Sequence, residues 1–256
     1  MSNVFFTLHF SLFIYQPMLV TVPEYAHLTS FLQQLPERFA EGELVYEGRN
    51  VVRRFVVEGQ TLIVKRFKKV NAIQQIIYTF FRPTKAARAF RFARIFRERG
   101  INTPREIAYM EQKQKGLFAI GWLVTEEVEG RETHLDLREV KNYDPALAIA
   151  VAQQIVKMHR VGILHGDLNL SNFLNTKKAD GYHFQMIDIN RSKILDGEPS
   201  RQQCLKNMMR ITHRRDLYEF IVRAYAKERG WNEDETAQEA LILLDEFEKK
   251  GKRLIK

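Results

Sequence analysis

The 256-residue sequence predicts an α+β fold in two lobes, a small antiparallel β-sheet leading into a mainly helical remainder. Three observations predict it. Residues 44–67 hold three β-branched runs separated by Gly48-Arg49-Asn50 and Glu58-Gly59-Gln60, the pattern of an antiparallel meander. Most of the chain beyond residue 146 places apolar residues at helical period. Between these halves, residues 126–130 (Glu-Glu-Val-Glu-Gly) end a long apolar run and read as a hinge.

Residues 1–17 come first and stand apart. They are apolar and uncharged, but lack the basic start and small-residue cleavage site of a signal peptide, and Thr7, His9, Ser11 and Gln16 make a poor membrane span. They read as an upstream start-site extension that need not belong to the working protein, or as a loosely held tail, with a weak membrane anchor as the alternative. Residues 18–256 then form one unit, with the lobes meeting near 127–128 and Met18 as a second candidate start.

Within the meander, Ile63, Lys65 and Phe67 share one face, because side chains alternate along a strand. An ammonium among apolar neighbours is costly unless an anion meets it. Lys65 is therefore a candidate phosphate contact, the other reading being a solvent-facing edge lysine. Residues 71–81 carry Ile73, Ile76, Ile77, Phe80 and Phe81 on one helical face between Lys68, Lys69, Arg82 and Lys85. Such a face suits packing on its own domain or lying on a membrane surface. Thr84 caps a second helix that Gly100 stops, with Ala86, Ala89, Phe90, Ala93 and Phe96 inward and Lys85, Arg88, Arg91 and Arg94 as an outer basic stripe. Strand patterns at 107–110 and 117–125 lead to the hinge.

A helix over 146–161 delivers the densest stretch of chemistry, residues 162–174 (Gly-Ile-Leu-His-Gly-Asp-Leu-Asn-Leu-Ser-Asn-Phe-Leu). Asp167 lies two residues after His165, and Asn172 five residues after Asp167. Residues 173–174 and 184–187 read as paired strands, and Asp188-Ile189-Asn190-Arg191 follows directly. Read alone, residues 162–174 could be a polar turn before a strand. Together with Asp188 they have the order of protein-kinase-like enzymes, in which an aspartate accepts the hydroxyl proton while an asparagine and a second aspartate hold Mg²⁺. Asp167 is then the catalytic residue, Asn172 and Asp188 the metal ligands, and His165 a structural brace. Gly48, Arg49 and Asn50 would lie over the ATP phosphates. Ile63, Glu126 and Val128 would frame the nucleotide, with adenine read by hinge backbone groups. The helix over 84–99 has no acid before Glu98, leaving Lys65 without a partner in the sequence.

The net charge of +9 favours anionic partners. No zinc-ligand cluster, recognition helix or aromatic-basic platform supports nucleic acid, and none is expected as a partner. The single cysteine, Cys204, precludes an internal disulfide and reads as a buried thiol.

Residues 46–50, Lys65, Lys85-Ala86, residues 100–104, residues 165–168, Asn172 and residues 188–191 together resemble the lipopolysaccharide core kinase family, protein-kinase-like enzymes that phosphorylate Kdo or heptose. The resemblance spans about residues 18–225. It implies an ATP- and Mg²⁺-dependent kinase acting on a lipid-linked anionic sugar, located in the cytoplasm or peripherally on the cytoplasmic face of the inner membrane, against an anionic membrane surface. Gly166 and Asn169 depart from the protein-kinase pattern and suit a small or lipid-borne hydroxyl. A small atypical protein Ser/Thr kinase and a nucleotide-binding pseudokinase or lipid-docking module remain as alternatives.

Overall fold

The computed structural model describes residues 17–253, with side chains as far as residue 249. Apart from Pro17, the segment read as an extension lies outside the described residues.

The N-terminal half is built on a six-stranded antiparallel sheet. In chain order its strands are β1 (Met18–Thr21), β2 (Glu43–Glu47), β3 (Val51–Val57), β4 (Gln60–Arg66), β5 (Glu106–Gln114) and β6 (Leu117–Glu126), and in space they run β1-β5-β6-β4-β3-β2. The meander is β2-β3-β4. Two helices intervene, α2 (Ala72–Phe80) and α3 (Lys85–Glu98), after α1 (Thr29–Arg38) has crossed the sheet. On β4, Leu62 and Val64 enter a core with Tyr25, Leu28, Leu32, Leu35 and Phe39. That orientation turns Ile63 and Lys65 to the opposite, cleft-facing side. The helical segment over 23–41 thus fixes which way Lys65 points.

α3 begins where Thr84 Oγ1 accepts the Ala87 N–H (3.1 Å) and ends at Gly100, whose φ of +75° only glycine adopts readily. Its basic stripe needs correction. Arg91 and Arg94 are exposed, but Arg88 is only 8% exposed and Lys85 is half-buried, because one side of α3 packs against the segment that follows Asp188. α2 differs from its neighbours. Tyr78 packs edge-on against Phe118, and Thr79 Oγ1 accepts the Phe118 N–H (2.9 Å), so the polar side holds the sheet and the apolar stripe faces outward.

After β6 the chain passes through β7 (Arg131–Glu132) and α4 (Thr133–Leu137) to α5 (Pro145–Arg160), whose Asp144 cap accepts the Ala146 N–H (2.8 Å). β8 (Ile163–Leu164), β9 (Phe173–Lys178), β10 (Gly181–Met186) and β11 (Lys193–Ile194) follow, then α6 (Arg201–Met208), α7 (Arg215–Arg229) and α8 (Glu233–Arg253). Leu147, Val151 and Ile155 of α5 meet Leu217, Ile221 and Tyr225 of α7 in a core of fully buried side chains. Cys204 is buried there too, and burial pushes its thiol up. None of the described helices is long and apolar enough to cross a membrane.

Candidate active site

Two antiparallel pairings bring the candidate residues together. Met186 pairs with Phe173 at the end of β10-β9, and Ile163 pairs with Ile194 in β8-β11. The loop over 165–172 and the segment over 187–192 are therefore clamped side by side, and the Ile187 N–H closes the gap by donating to the Asn172 carbonyl (3.0 Å).

His165 holds this clamp from inside. It is fully buried; Nε2 lies 3.0 Å from the Ile187 carbonyl and Nδ1 accepts the Asp167 N–H at 3.2 Å. A carbonyl can only accept, so the neutral Nε2–H tautomer is the one that fits. Burial pushes the imidazole pKa down, which favours that neutral form. His165 is a brace between the two segments, as the sequence suggested. Its own carbonyl accepts from Asn207 Nδ2 on α6 (2.8 Å), and Asn207 Oδ1 lies 3.1 Å from His159 Nε2 on α5. Nothing in the spacing of Asn207 marked it beforehand.

Gly166 has a steric reason. A Cβ there would come within 2.0 Å of the Arg191 carbonyl oxygen, closer than real Cβ contacts. The backbone after Asp188 occupies the space, so an arginine in place of Gly166 has no room.

Asp167 turns its carboxylate outward between two guanidiniums, Arg191 NH1 and Arg210 NH1, each 4.0 Å away. Its carbonyl receives Asn172 Nδ2 (2.7 Å) and Asn169 Nδ2 (3.3 Å). With Nδ2 engaged, the Asn172 amide orients its oxygen for another partner. Arg210, which sequence reasoning did not single out, and Asn190, which it quoted without a role, also lie at the candidate site.

Asp188 sits in the left-handed region, φ +55° and ψ +41°, which aspartate tolerates at a cost of about 1 kcal/mol. Its Oδ1 accepts from Lys65 Nζ (2.8 Å) and from Asn190 Nδ2 (2.6 Å), and Oδ2 is left over. Burial would raise this carboxyl, but the charge and hydrogen bond of Lys65 outweigh it and hold the group below the usual aspartate value. The acid that the sequence lacked on α3 is thus supplied by Asp188 itself. In its place α3 offers cations. Lys85 lies in the field of Arg191, Arg88, Arg49 and Asp188, and burial together with those guanidiniums pushes its ammonium down.

Farther along the cleft, a cavity of about 690 Å³ opens at the hinge, lined by Gln60, Thr61, Leu62, Glu126, Glu127 and Val128. The Glu126 side chain is occupied by the Tyr25 hydroxyl and its N–H by the Arg105 carbonyl (2.9 Å), which leaves Val128 as the freer hinge position. Above the cleft, the β2-β3 turn folds on itself: the Gly48 N–H donates to the Asn50 carbonyl (3.0 Å), and Asn50 Oδ1 accepts the Lys68 N–H (3.1 Å).

The residues present fit a hard divalent cation. Mg²⁺ takes one or two carboxylates and amide or water oxygens and leaves the rest of its shell to phosphates, so Asp188 Oδ2 with the Asn172 amide oxygen is a suitable pair. Among the described residues no cluster of three or more His, Cys, Asp or Glu offers a self-sufficient metal cage. Asn190 Oδ1, buried without a partner beside Asp188, is a further oxygen at the same point.

An antiparallel sheet with one lysine aimed at an aspartate that follows a strand hairpin, above a helical lobe, defines a protein-kinase-like fold. A solved structure, "WaaP in complex with acyl carrier protein", superposes with a TM-score of 0.61 at 21% identity, covering 93% of this chain and 100% of that one. The lipopolysaccharide kinase (Kdo/WaaP) family profile matches residues 31–248, and the chain belongs to that family. Curated relatives include a 3-deoxy-D-manno-octulosonic acid kinase of Vibrio vulnificus, 34% identical over 155 residues (59% of this chain, 64% of the relative). Another is the lipopolysaccharide core heptose(I) kinase WaaP of Pseudomonas aeruginosa, 30% identical over 169 residues (60% of this chain, 63% of the relative). The chain spans less than two-thirds of the length of either.

Proposed function

We propose that this protein transfers the γ-phosphate of ATP to a hydroxyl of an anionic, lipid-linked sugar of the lipopolysaccharide inner core, Kdo or heptose, at the cytoplasmic face of the inner membrane. Residues 18–256 act as a single kinase-like unit in this reading. The observation that carries it is the convergence of Lys65, Asp188 and Asn172 beside an outward-facing Asp167. Family membership and the relatives' names support the reaction class and the acceptor.

Asp167 accepts the proton of the attacking hydroxyl and fixes its direction of approach. Arg191 and Arg210, 4.0 Å from its two oxygens, flank the point of attack and present unused N–H groups to an anionic acceptor. Lys65 contacts the α and β phosphates, with the Gly48-Arg49-Asn50 turn above them. Asp188 and Asn172 would hold Mg²⁺, which when bound would supply charge neutralisation to the phosphates. Transfer of this kind is governed by positioning and electrostatics. A brace of part-buried hydrogen bonds from His159 through Asn207 to the His165 carbonyl serves that purpose.

The missing α3 acid would favour a pseudokinase only if Lys65 lacked an anion, and Asp188 provides one at 2.8 Å. The reading is tested by incubating the protein with Mg-ATP and Kdo-bearing lipid A precursor and weighing the product by mass spectrometry. A gain of one phosphate with the wild type and none with Asp167→Ala supports it; an unchanged acceptor with the wild type refutes it.

A further inference from the structure

The apolar face of α2 has no partner in the described fold. Ile73 is 71% exposed, Phe80 67% and Phe81 79%, with Ile76 and Ile77 exposed between them, and the helix has no buried residue. Amphipathic surface helices normally bury this stripe and show water their polar side. Here Tyr78 and Thr79 are fastened to β6, so the anchoring contacts themselves direct the apolar side outward.

The surroundings are cationic. Residues 60–97 contain no Asp or Glu and ten Lys or Arg. Lys68, Lys69 and Arg82 are exposed at the two ends of α2, and Lys113 near the end of β5 and Lys115 in the β5-β6 turn are exposed too. Nine residues make a helix of about 13 Å, too short to cross a bilayer and suited to lying in its interface. Its face offers only aliphatic and phenyl groups, which need no directional hydrogen-bond partner.

From this we infer that α2 is a docking element for an anionic phospholipid bilayer. Ile73, Ile76, Ile77, Phe80 and Phe81 enter the acyl boundary, while Lys68, Lys69, Arg82, Lys113 and Lys115 meet the headgroup phosphates. The inference deepens the kinase reading and rests on it for its purpose. Lys85, four residues beyond Phe81, opens α3, which packs against the segment over 189–191 that follows Asp188, so a bilayer seated on α2 would present lipid-borne sugars at that end of the cleft.

The test is co-sedimentation with vesicles of phosphatidylcholine, with and without phosphatidylglycerol, at low and high salt. The wild type should pellet with the anionic vesicles at low salt. Ile73→Ser/Phe80→Ser/Phe81→Ser, confined to exposed positions, should keep its melting temperature and bind at least about tenfold more weakly. A Phe81→Trp variant should shift to shorter emission wavelength on binding and be quenched by brominated lipid. Equal pelleting of the triple variant and the wild type overturns the inference. So does wild type that ignores vesicles but is captured through α2 by a folded acidic protein. Phosphorylation of a water-soluble, delipidated acceptor separates the two claims. The triple variant should match the wild type on it and lose rate only on vesicle-borne acceptor. Wild type inactive on both acceptors refutes the kinase reading and leaves docking to the sedimentation result.

Discussion

The Gly166 α-carbon and the Arg191 carbonyl meet so closely that a side chain at 166 would start 2.0 Å from that oxygen. The loop over 165–172 and the segment after Asp188 are thus packed backbone to backbone. Gly166→Ala should separate Asp167 from Asp188. The expected loss in kcat is at least about a hundredfold, since displacements of about 1 Å cost that much in positioned reactions. The stability cost is about 1–3 kcal/mol from overpacking. Steady-state kinetics and denaturant unfolding of the same preparation check both parts.

A second prediction concerns Asn207, which joins the His165 carbonyl to His159. Asn207→Leu orphans an acceptor and a donor in the protein interior, a penalty of about 1–3 kcal/mol for each buried group left unpaired. The loop should loosen, lowering kcat with little change in KM for ATP, because Asn207 touches neither nucleotide nor acceptor. Asn207→Asp retains the carbonyl-type acceptor for His159 Nε2 and should recover only part of the stability. An unchanged kcat in Asn207→Leu would remove the brace from the account.

These two cases show where the sequence was readable. The meander, the capped helix α3 and the order of Lys65, Asp167, Asn172 and Asp188 follow from local signals: β-branched alternation, Thr84 before a helix and Gly100 after it, and fixed spacing of polar residues after apolar runs. The helical segment over 23–41 carries weaker signals. Pro36 interrupts its pattern, and its core residues Leu28, Leu32 and Leu35 acquire meaning only once the sheet is there to cover. Arg88 and Lys85 fit an exposed stripe by period alone, yet the segment after Asp188 covers that side of α3. Contacts such as Asn207–His165, 42 residues apart, and Gly166–Arg191 arise from tertiary packing that no local spacing encodes.

Acid sensitivity should centre on His159. Burial lowers its pKa from 6.5 to about 4, the ring accepting from Tyr225 Oη at Nδ1 (2.9 Å) and donating through Nε2. The folded state therefore holds this histidine neutral where the unfolded chain protonates it. Its contribution is complete above pH 6.5 and is lost as pH falls from 6.5 toward 4, to a maximum of about 3 kcal/mol. His159→Phe should be less stable at neutral pH but show a flatter loss across that window, read from denaturant midpoints at successive pH values. Asp188, held below the usual aspartate range, adds a separate loss at still lower pH.

Lys65→Met leaves the Asp188 carboxylate without its cation. With the largest opposing influence gone, burial raises the Asp188 pKa against only the weaker field of Arg191 and the Asn190 hydrogen bond, and affinity for ATP should fall along with kcat, by about a hundredfold or more in kcat/KM. Asp188→Asn should lower kcat as severely as Asp167→Asn. Nucleotide titration by calorimetry with and without Mg²⁺ distinguishes the two sites: Lys65→Met should weaken ATP binding in both conditions, and Asp188→Asn mainly in the presence of metal.

Arg191 and Arg210 frame Asp167 at equal distance and are about half exposed, so they are available to an incoming anion. Arg210→Gln should raise KM for the acceptor several-fold while leaving KM for ATP unchanged, and added salt should narrow the difference between variant and wild type. A neutral hydroxyl acceptor should be insensitive to the change.

The most direct test of the account is a single-turnover assay in which the protein, in excess, is mixed with γ-labelled Mg-ATP and Kdo-bearing lipid A precursor. We predict that label moves from ATP to a sugar hydroxyl with the wild type, and that Asp167→Asn binds ATP with unchanged affinity but slows this transfer at least about a thousandfold. Transfer at the wild-type rate by Asp167→Asn, or ATP binding by the wild type with no label reaching the sugar, would contradict it.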